Sequence, residues 1–519
     1  MNYPVWYIPS VGGAILIAVM AIVHVVISHF AVGGGLWLVL TERKAYRENK
    51  DYILDYVKSH ALFFMLLTMV MGSMTGVGIW FTIALISPDA TSSLIHNFVF
   101  GWAIEWVFFV IEIATAFLYY YTFKKISRKT HLLIGWIYFA AAWASLLVIN
   151  GIITFMLTPG KWLATGNFWD GIFNPTYWPS TVFRTFLSFA LAGGYALLTA
   201  SRKYKGPERK ELVRYNGKWI AVSIAVMIPS LLWYYFTVPA SAREGLAGAS
   251  PIMSTSLAHL VISMIVLVLL LLTVVWWKAE KVSMAWSLVV LLVLFVFFGA
   301  FEFIREAGRK PYIIKDYMYS HGLTVRQVEE LEGQPLLPTA KWARHAEVNA
   351  GNQLEAGEDL FRVQCSACHT IGFKNDITGT IKDWNQKRIT GIIGNLSGMT
   401  PYMPAFVGND AEQRALGAWL FHITHPGVEP GAPEPAAAQQ PAAIDGKAVF
   451  ENYCSLCHEL DGENAIRPRM VNYKGFDAVL DMLGRLDQIN EDMPAFEGTE
   501  EEKRALAEYL AQLEQSGGN

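Results

Sequence analysis

The sequence predicts an all-α membrane protein, a polytopic bundle of eight spans followed by two small helical domains. Three observations predict it. Of 519 residues, 53% are hydrophobic and only 16% are charged, too apolar a balance for an ordinary soluble enzyme. Eight apolar runs long enough to cross a bilayer fill the front of the chain. The remaining tail turns polar and repeats itself.

The apolar runs fall at about residues 11–40, 60–86, 97–123, 131–157, 179–200, 219–239, 256–277 and 283–304. The opening "MNYPVWYIPS" lacks a basic stretch, so the first run is expected to stay as a span rather than be cleaved as a signal. Connections after the odd-numbered runs carry "TERKAYRENK", "KKISRK", "SRKYKGPERKELVRYNGK" and "KAEK", whereas the others hold Lys161, Arg243 and little else. The positive-inside rule then places the N-terminus, the even-numbered exits and the whole tail outside the cytoplasm. The expectation is a multi-pass protein of a bacterial cytoplasmic membrane with a periplasmic tail. The net charge of −3 carries no nucleic-acid footprint, so the first partner is the lipid bilayer.

In the tail, "LFRVQCSACHTIG" matches "VFENYCSLCHELDG", and "YMPAFVGNDAEQRALGAWL" matches "DMPAFEGTEEEKRALAEYL". The expected organisation is a membrane domain over 1–310, a connecting segment over 311–350, one module over 351–425, a Pro/Ala-rich linker over 426–441 and a second module over 442–519. All four cysteines lie in two Cys-x-x-Cys-His sets, Cys365, Cys368 and His369, then Cys454, Cys457 and His458. That is the attachment signature of covalent c-type haem: two thiols bond the porphyrin vinyls and the next histidine supplies the proximal nitrogen. A zinc or redox pair is the bland alternative, and duplication argues against it. The sixth ligand of small cytochromes c is commonly a Met thioether, which raises the potential. Met403 and Met493 sit in matching Met-Pro-Ala-Phe segments, 38 and 39 residues beyond the first Cys of each set. Met399 is the runner-up, without a counterpart in the second copy. Both modules resemble short class I cytochromes c.

Within the spans, "AIVHVVISHFAVGG", "MGSMTG", "AIEWVFFVIE", "NGIITFMLTP" and "GRKPY" resemble, in order, segments of the larger, haem-bearing subunit of cytochrome bd quinol oxidases. The resemblance covers about residues 1–315. It implies haem b, one or more, with haem d as a further candidate, and a second, homologous membrane subunit. It puts His24 on the family's haem-binding position in the first helix. Glu105 and Glu112, seven residues apart on nearly one helical face, match a carboxylate pair that helps bring protons to the oxygen-reducing haems, at a spacing one residue shorter than usual.

Departures from that family are as informative. Its fifth helix begins with a haem-ligating His, where "TVFRTF" puts Arg184; an Arg is no such ligand, and is expected to pair with a haem propionate or to end the helix. The quinol-handling loop after the sixth helix shrinks to "PASAREGLAGASP". The seventh-helix Met ligand has no clear equivalent, with His259 within about a turn as its replacement. The eighth-helix Glu aligns nearest to Gly299, with Glu302 about one turn away.

His29 lies five residues beyond His24, rotated by about 140° and about 7.5 Å deeper, so one iron cannot take both. Its expected partner is a second haem, an acidic or carbonyl group, or another subunit. His60 and His131 read as interfacial or capping residues at inner helix ends, and His96 as a surface residue. The leading functional expectation is a quinol:cytochrome c type electron-transfer protein with a periplasmic cytochrome or other redox partner. The alternatives are a bd-type terminal oxidase fed through its c haems, and an anchor with no haem in the bundle.

Overall fold

The computed structural model describes residues 5–428 and then 445–454, 458, 460, 466–470, 472, 473, 475–489, 493, 495, 496 and 498–515. Among these residues, eight helices are long and apolar enough to cross a membrane: Gly13–Glu48, Asp51–Ile86, Val99–Tyr121, Arg128–Phe155, Tyr177–Lys203, Gly206–Thr237, Pro251–Trp277 and Met284–Ala307. The chain is a multi-pass, all-α membrane protein. Several helices outrun the apolar stretches read from the sequence, because their ends extend through polar residues such as "TERKAYRE". Two compact units emerge, residues 1–330 with 365–375, and residues 331–364 with 376–519.

The fifth span is the axis of the first unit. Two thirds of its most apolar window (67%) is buried, against 22–39% in the other seven, so this helix touches protein on nearly every side. Small residues make that possible. A methyl group on Gly33 of the first span would lie 1.9 Å from the Ser188 carbonyl oxygen, and one on Gly193 would lie 2.8 Å from that of Asn216. Around these close approaches pack Phe30, Trp37, Phe64, Leu187, Leu191, Leu294 and Phe297, all buried. The outward faces keep Val77, Phe81, Trp106, Phe236 and Trp277 exposed, as lipid contact requires.

A helix with so little exposed surface must satisfy its polar side chains within the protein. The Trp37 indole donates to Asn216 Oδ1 at 2.9 Å, the Asn216 amide donates to the Tyr56 hydroxyl at 2.7 Å, and Tyr56 donates to the Ala196 carbonyl at 2.6 Å. Four spans are thereby tied by one chain of hydrogen bonds. His60 is not at a helix end as the sequence suggested. It is fully buried among Phe30, Trp37 and Tyr56, with Nδ1 on Thr199 Oγ1 at 2.9 Å. His131 does lie in the first turn of its helix, but it is buried rather than interfacial: Nδ1 meets the buried Glu42 carboxylate at 2.8 Å, and Nε2 meets the Tyr119 carbonyl at 2.8 Å. Both ring nitrogens face acceptors, so the ring is held at both ends between the first and third spans.

The second unit contains the helices of the two duplicated modules, each built on one helix crossing, while residues 365–375 of the first module group with the first unit. Helix Gln353–Leu360 meets Asp410–Thr424 where a methyl on Gly357 would lie 2.2 Å from the Ala415 carbonyl and 2.7 Å from Trp419. Helix Gly446–Tyr453 meets Glu500–Gln515 in the same way, Gly446 lying against the Ala505 carbonyl and Tyr509. The sequence repeat is thus a structural repeat.

Candidate haem-binding sites

In the first module the haem-attachment loop follows directly from the crossing helix. His369 N–H donates to the Cys365 carbonyl at 2.9 Å and Cys368 N–H to the same oxygen at 3.0 Å, while Asn375 Nδ2 donates to the Cys368 carbonyl at 2.8 Å. The turn therefore holds both thiols and the imidazole on one short arc. Neither Cys365 nor Cys368 is in a disulfide, so both are available for thioether bonds. Burial, with a smaller push from Cys368, raises the Cys365 thiol to about 12. Burial likewise lowers the His369 imidazole, which keeps a neutral nitrogen. His369 Nδ1 is buried and has no hydrogen-bond partner among the described residues. These donors fit covalent haem. In the second module His458 N–H donates to the Cys454 carbonyl at 2.9 Å, the same turn; Cys457 lies outside the described residues.

The Met-Pro-Ala-Phe segments are fixed by devices that the motif does not reveal. Gln364, just before Cys365, forms a reciprocal pair with Val407: its Nε2 donates to the Val407 carbonyl at 2.9 Å and its Oε1 accepts from Val407 N–H at 2.9 Å. The chain just after Met403 is therefore pinned to the helix that leads into Cys365. In the second copy Tyr453 takes the Gln364 position and packs on Phe496 at 5.1 Å. Each closing helix starts with a capping box, Asn409 with Glu412 and Thr499 with Glu502. Both Met403 and Met493 are half-buried.

In the bundle, His24 is half-buried on the first span and its Nδ1 lies 3.1 Å from Thr75 Oγ1. The Thr75 hydroxyl already donates to the Met71 carbonyl at 2.7 Å, so toward His24 it accepts. Nδ1 then carries the proton and Nε2 keeps its lone pair, the arrangement of a metal-ligating imidazole. Gly76 makes room for the ring, since a methyl there would lie 3.2 Å from His24 Cε1. His24 fits the haem-ligand role.

His29 does not. Its Nδ1 donates to the Val25 carbonyl at 2.7 Å, and its Nε2 accepts from Arg184 Nη1 at 3.3 Å, so neither nitrogen is open to iron. Arg184 is fully buried, which rules out the helix-end reading, and its guanidinium pairs with Glu302 at 2.5 Å. His259 faces outward and is exposed, the inward positions of its span being taken by Leu260 and Ser263; it does not replace an interior ligand of this bundle. Glu105 accepts from Ser145 Oγ at 3.1 Å, and Glu112 is buried two turns further along the third span. Sequence reasoning missed Glu306, which is held by both Nη2 and Nε of Arg309 at the end of the eighth span. The adjoining "GRKPY" was the available signal.

Comparison with known proteins now bears on these sites. Residues 14–244 match the family model of cytochrome bd terminal oxidase subunit I, and residues 352–420 and 441–510 each match that of cytochrome c oxidase, cbb3-type, subunit III. The chain is a bd-oxidase-like membrane domain fused to two cytochrome c domains. A solved bd oxidase from Geobacillus thermodenitrificans is 16% identical, covers 60% of this chain and 90% of its own, and superposes with a TM-score of 0.49. No curated protein matches the chain. The cytochrome c matches span both Cys-x-x-Cys-His sets and both candidate Met residues. The bd-oxidase-like match contains His24, Glu105, Glu112 and Arg184 but stops before the last two spans, so His259, Glu302 and Glu306 fall outside it.

Proposed function

We propose that this protein is a membrane-bound multihaem electron carrier, exchanging electrons between a b-type haem and quinone site in the bundle and two c-type haems outside the cytoplasm. The observation that carries this reading is His24, oriented by Thr75 with Nε2 free, in one chain with two Cys-x-x-Cys-His modules. Haem, when bound, supplies one-electron chemistry, and the protein supplies position and potential. Cys365, Cys368 and His369 would hold one c haem with Met403, and Cys454, Cys457 and His458 the other with Met493. Thr75 orients His24. The basic-poor outer loops, with Lys161, Arg243 and little else, support a periplasmic tail in a bacterial cytoplasmic membrane, where a soluble cytochrome or another redox partner would meet it. A second membrane subunit would cover part of the exposed apolar surface.

A second reading, a terminal oxidase fed through the c haems, is favoured by Glu105 with Ser145 and the buried Glu112, which would hold and pass protons. The solubilised protein decides between them. Haem b, c and d are counted as pyridine haemochromes, and oxygen uptake is followed with reduced cytochrome c and with quinol. Two c haems with noncovalent haem b and no oxygen uptake support the first reading; oxygen turnover driven by reduced cytochrome c replaces it with the second. An absence of noncovalent haem removes both.

A further inference from the structure

The bd-oxidase-like match implies haem inside the bundle, and the residues around Arg184 do not fit one. Arg184 is fully buried and a guanidinium has no lone pair to give a metal. Each neighbour that has one is already engaged. His29 spends Nδ1 on the Val25 carbonyl and Nε2 on Arg184. Glu302 meets Arg184 through Oε1 at 2.5 Å and Arg305 through Oε2 at 3.0 Å. Ser180 accepts from Arg184 Nε at 3.2 Å and donates onward to Asn150 Oδ1 at 2.6 Å. Aromatic rings fill the remaining sides: Phe298 lies 4.7 Å from the His29 ring, and the guanidinium sits 5.9 Å and 5.6 Å from the rings of Phe298 and Phe301. A porphyrin here would have to strip His29 of both hydrogen bonds and leave a buried cation unpaired, the costliest change available in such a place.

We infer that this interior position holds no haem, and that Arg184 and Glu302, buttressed by His29 and Arg305, form a charge lock joining the first, fifth and eighth spans in its stead. The inference deepens the proposed function, on whose reading of His24 it rests, because it removes His29 from the candidate haem ligands and leaves the bundle haem to His24.

The full-length chain is compared with His29→Gln, Arg184→Met, Arg184→Met/Glu302→Met and His24→Ala variants. Noncovalent and covalent haem are counted per chain, the noncovalent haem is examined by electron paramagnetic resonance, and thermal unfolding is followed. His29→Gln keeps the ion pair and is expected to fold. It should leave the ratio of noncovalent to covalent haem and the resonance signal unchanged, whereas His24→Ala should lose one noncovalent haem. Arg184→Met alone should lower the melting temperature by leaving Glu302 Oε1 without its cation, with only Arg305 on Oε2, and the double replacement should recover part of that loss. Loss of a noncovalent haem or a changed signal in His29→Gln overturns the inference, as does a double variant no more stable than the single one. A wild-type protein with no noncovalent haem would end the His24 reading while leaving the lock to be judged on the rescue.

Discussion

Single residues carry two kinds of information in this chain, and only one kind could be read in advance. Cys-x-x-Cys-His announces its chemistry because ligand and attachment groups must be neighbours in sequence. The partners that orient such groups need not be: Gln364 and Val407 are 43 residues apart, His131 and Glu42 are 89 apart, and Arg184 and His29 are 155 apart. His24 and His29 differ in sequence only by the family position that the resemblance gives His24, and their ring partners then separate them. If Met403 is the sixth ligand, Met403→His should move one of the two c-type waves in a redox titration to lower potential and leave the other in place, because the thioether raises the potential. Met399→Ala should move neither. Asp359 offers a pH handle at the same scale. Burial works to raise its carboxyl, but Arg344 and His345, whose side chains and backbone N–H groups all donate to it, hold it below the usual carboxylate range. A depressed folded-state value stabilises the fold above the unfolded value near 3.9, and that contribution is lost as pH falls through the folded value. Hydrogen exchange at Arg344 and His345, taken relative to the intrinsic rate at each pH, should therefore be slow at neutral pH and approach the intrinsic rate only below about pH 4. In Asp359→Asn it should be fast at both.

At the scale of elements, the sequence was most legible where composition alone decides. Eight spans follow from apolar length, and the module repeat from direct alignment. Capping boxes at Asn409 and Thr499 are visible as a polar cap followed three residues on by Glu. Less legible was which span lies at the centre. The fifth span is the least apolar of the eight, yet Ala190, Leu191, Ala192, Gly193 and Gly194 let five neighbouring spans close around it. Its buried Ser180, Thr181 and Arg184 are consequences of that position rather than of their own preferences. The close approach of the first and fifth spans is testable through Gly33. The added methyl of Gly33→Ala meets backbone, not a flexible side chain, so the helices must separate. Overpacking of this kind costs about 1–3 kcal/mol, and the variant should melt earlier in detergent. Gly166→Ala is a poor control because of its positive φ, whereas Gly391→Ala, with open space around it, should be nearly neutral.

For the whole molecule, the charge distribution of the loops makes a claim that is independent of any haem. Basic residues concentrate on the connections after the first, third, fifth and seventh spans, and several of them are bound into pairs between connections, Lys50 with Glu211 at 2.7 Å and Lys210 with Glu280 at 2.6 Å. Such pairing does not remove the bias that sets orientation, since acidic residues contribute little to it. With eight spans, an even number, both ends of the bundle must lie on one side of the membrane. Haem is attached to Cys-x-x-Cys-His outside the cytoplasm, so a tail on the inner side would leave both modules without cofactor. Topology and chemistry thus make the same demand. Alkaline phosphatase fused after Lys310 should be active and after Lys205 inactive, with the reverse pattern for a fluorescent protein that matures only in the cytoplasm. Removing the basic character of the first inner loop, by Arg43→Gln, Lys44→Gln, Arg47→Gln and Lys50→Gln together, should lower the fraction of chains with covalent haem in proportion to the fraction inverted. Active phosphatase at both fusion points would break the eight-span arrangement, and a haem-loaded tail on the inner side would break the link between orientation and attachment.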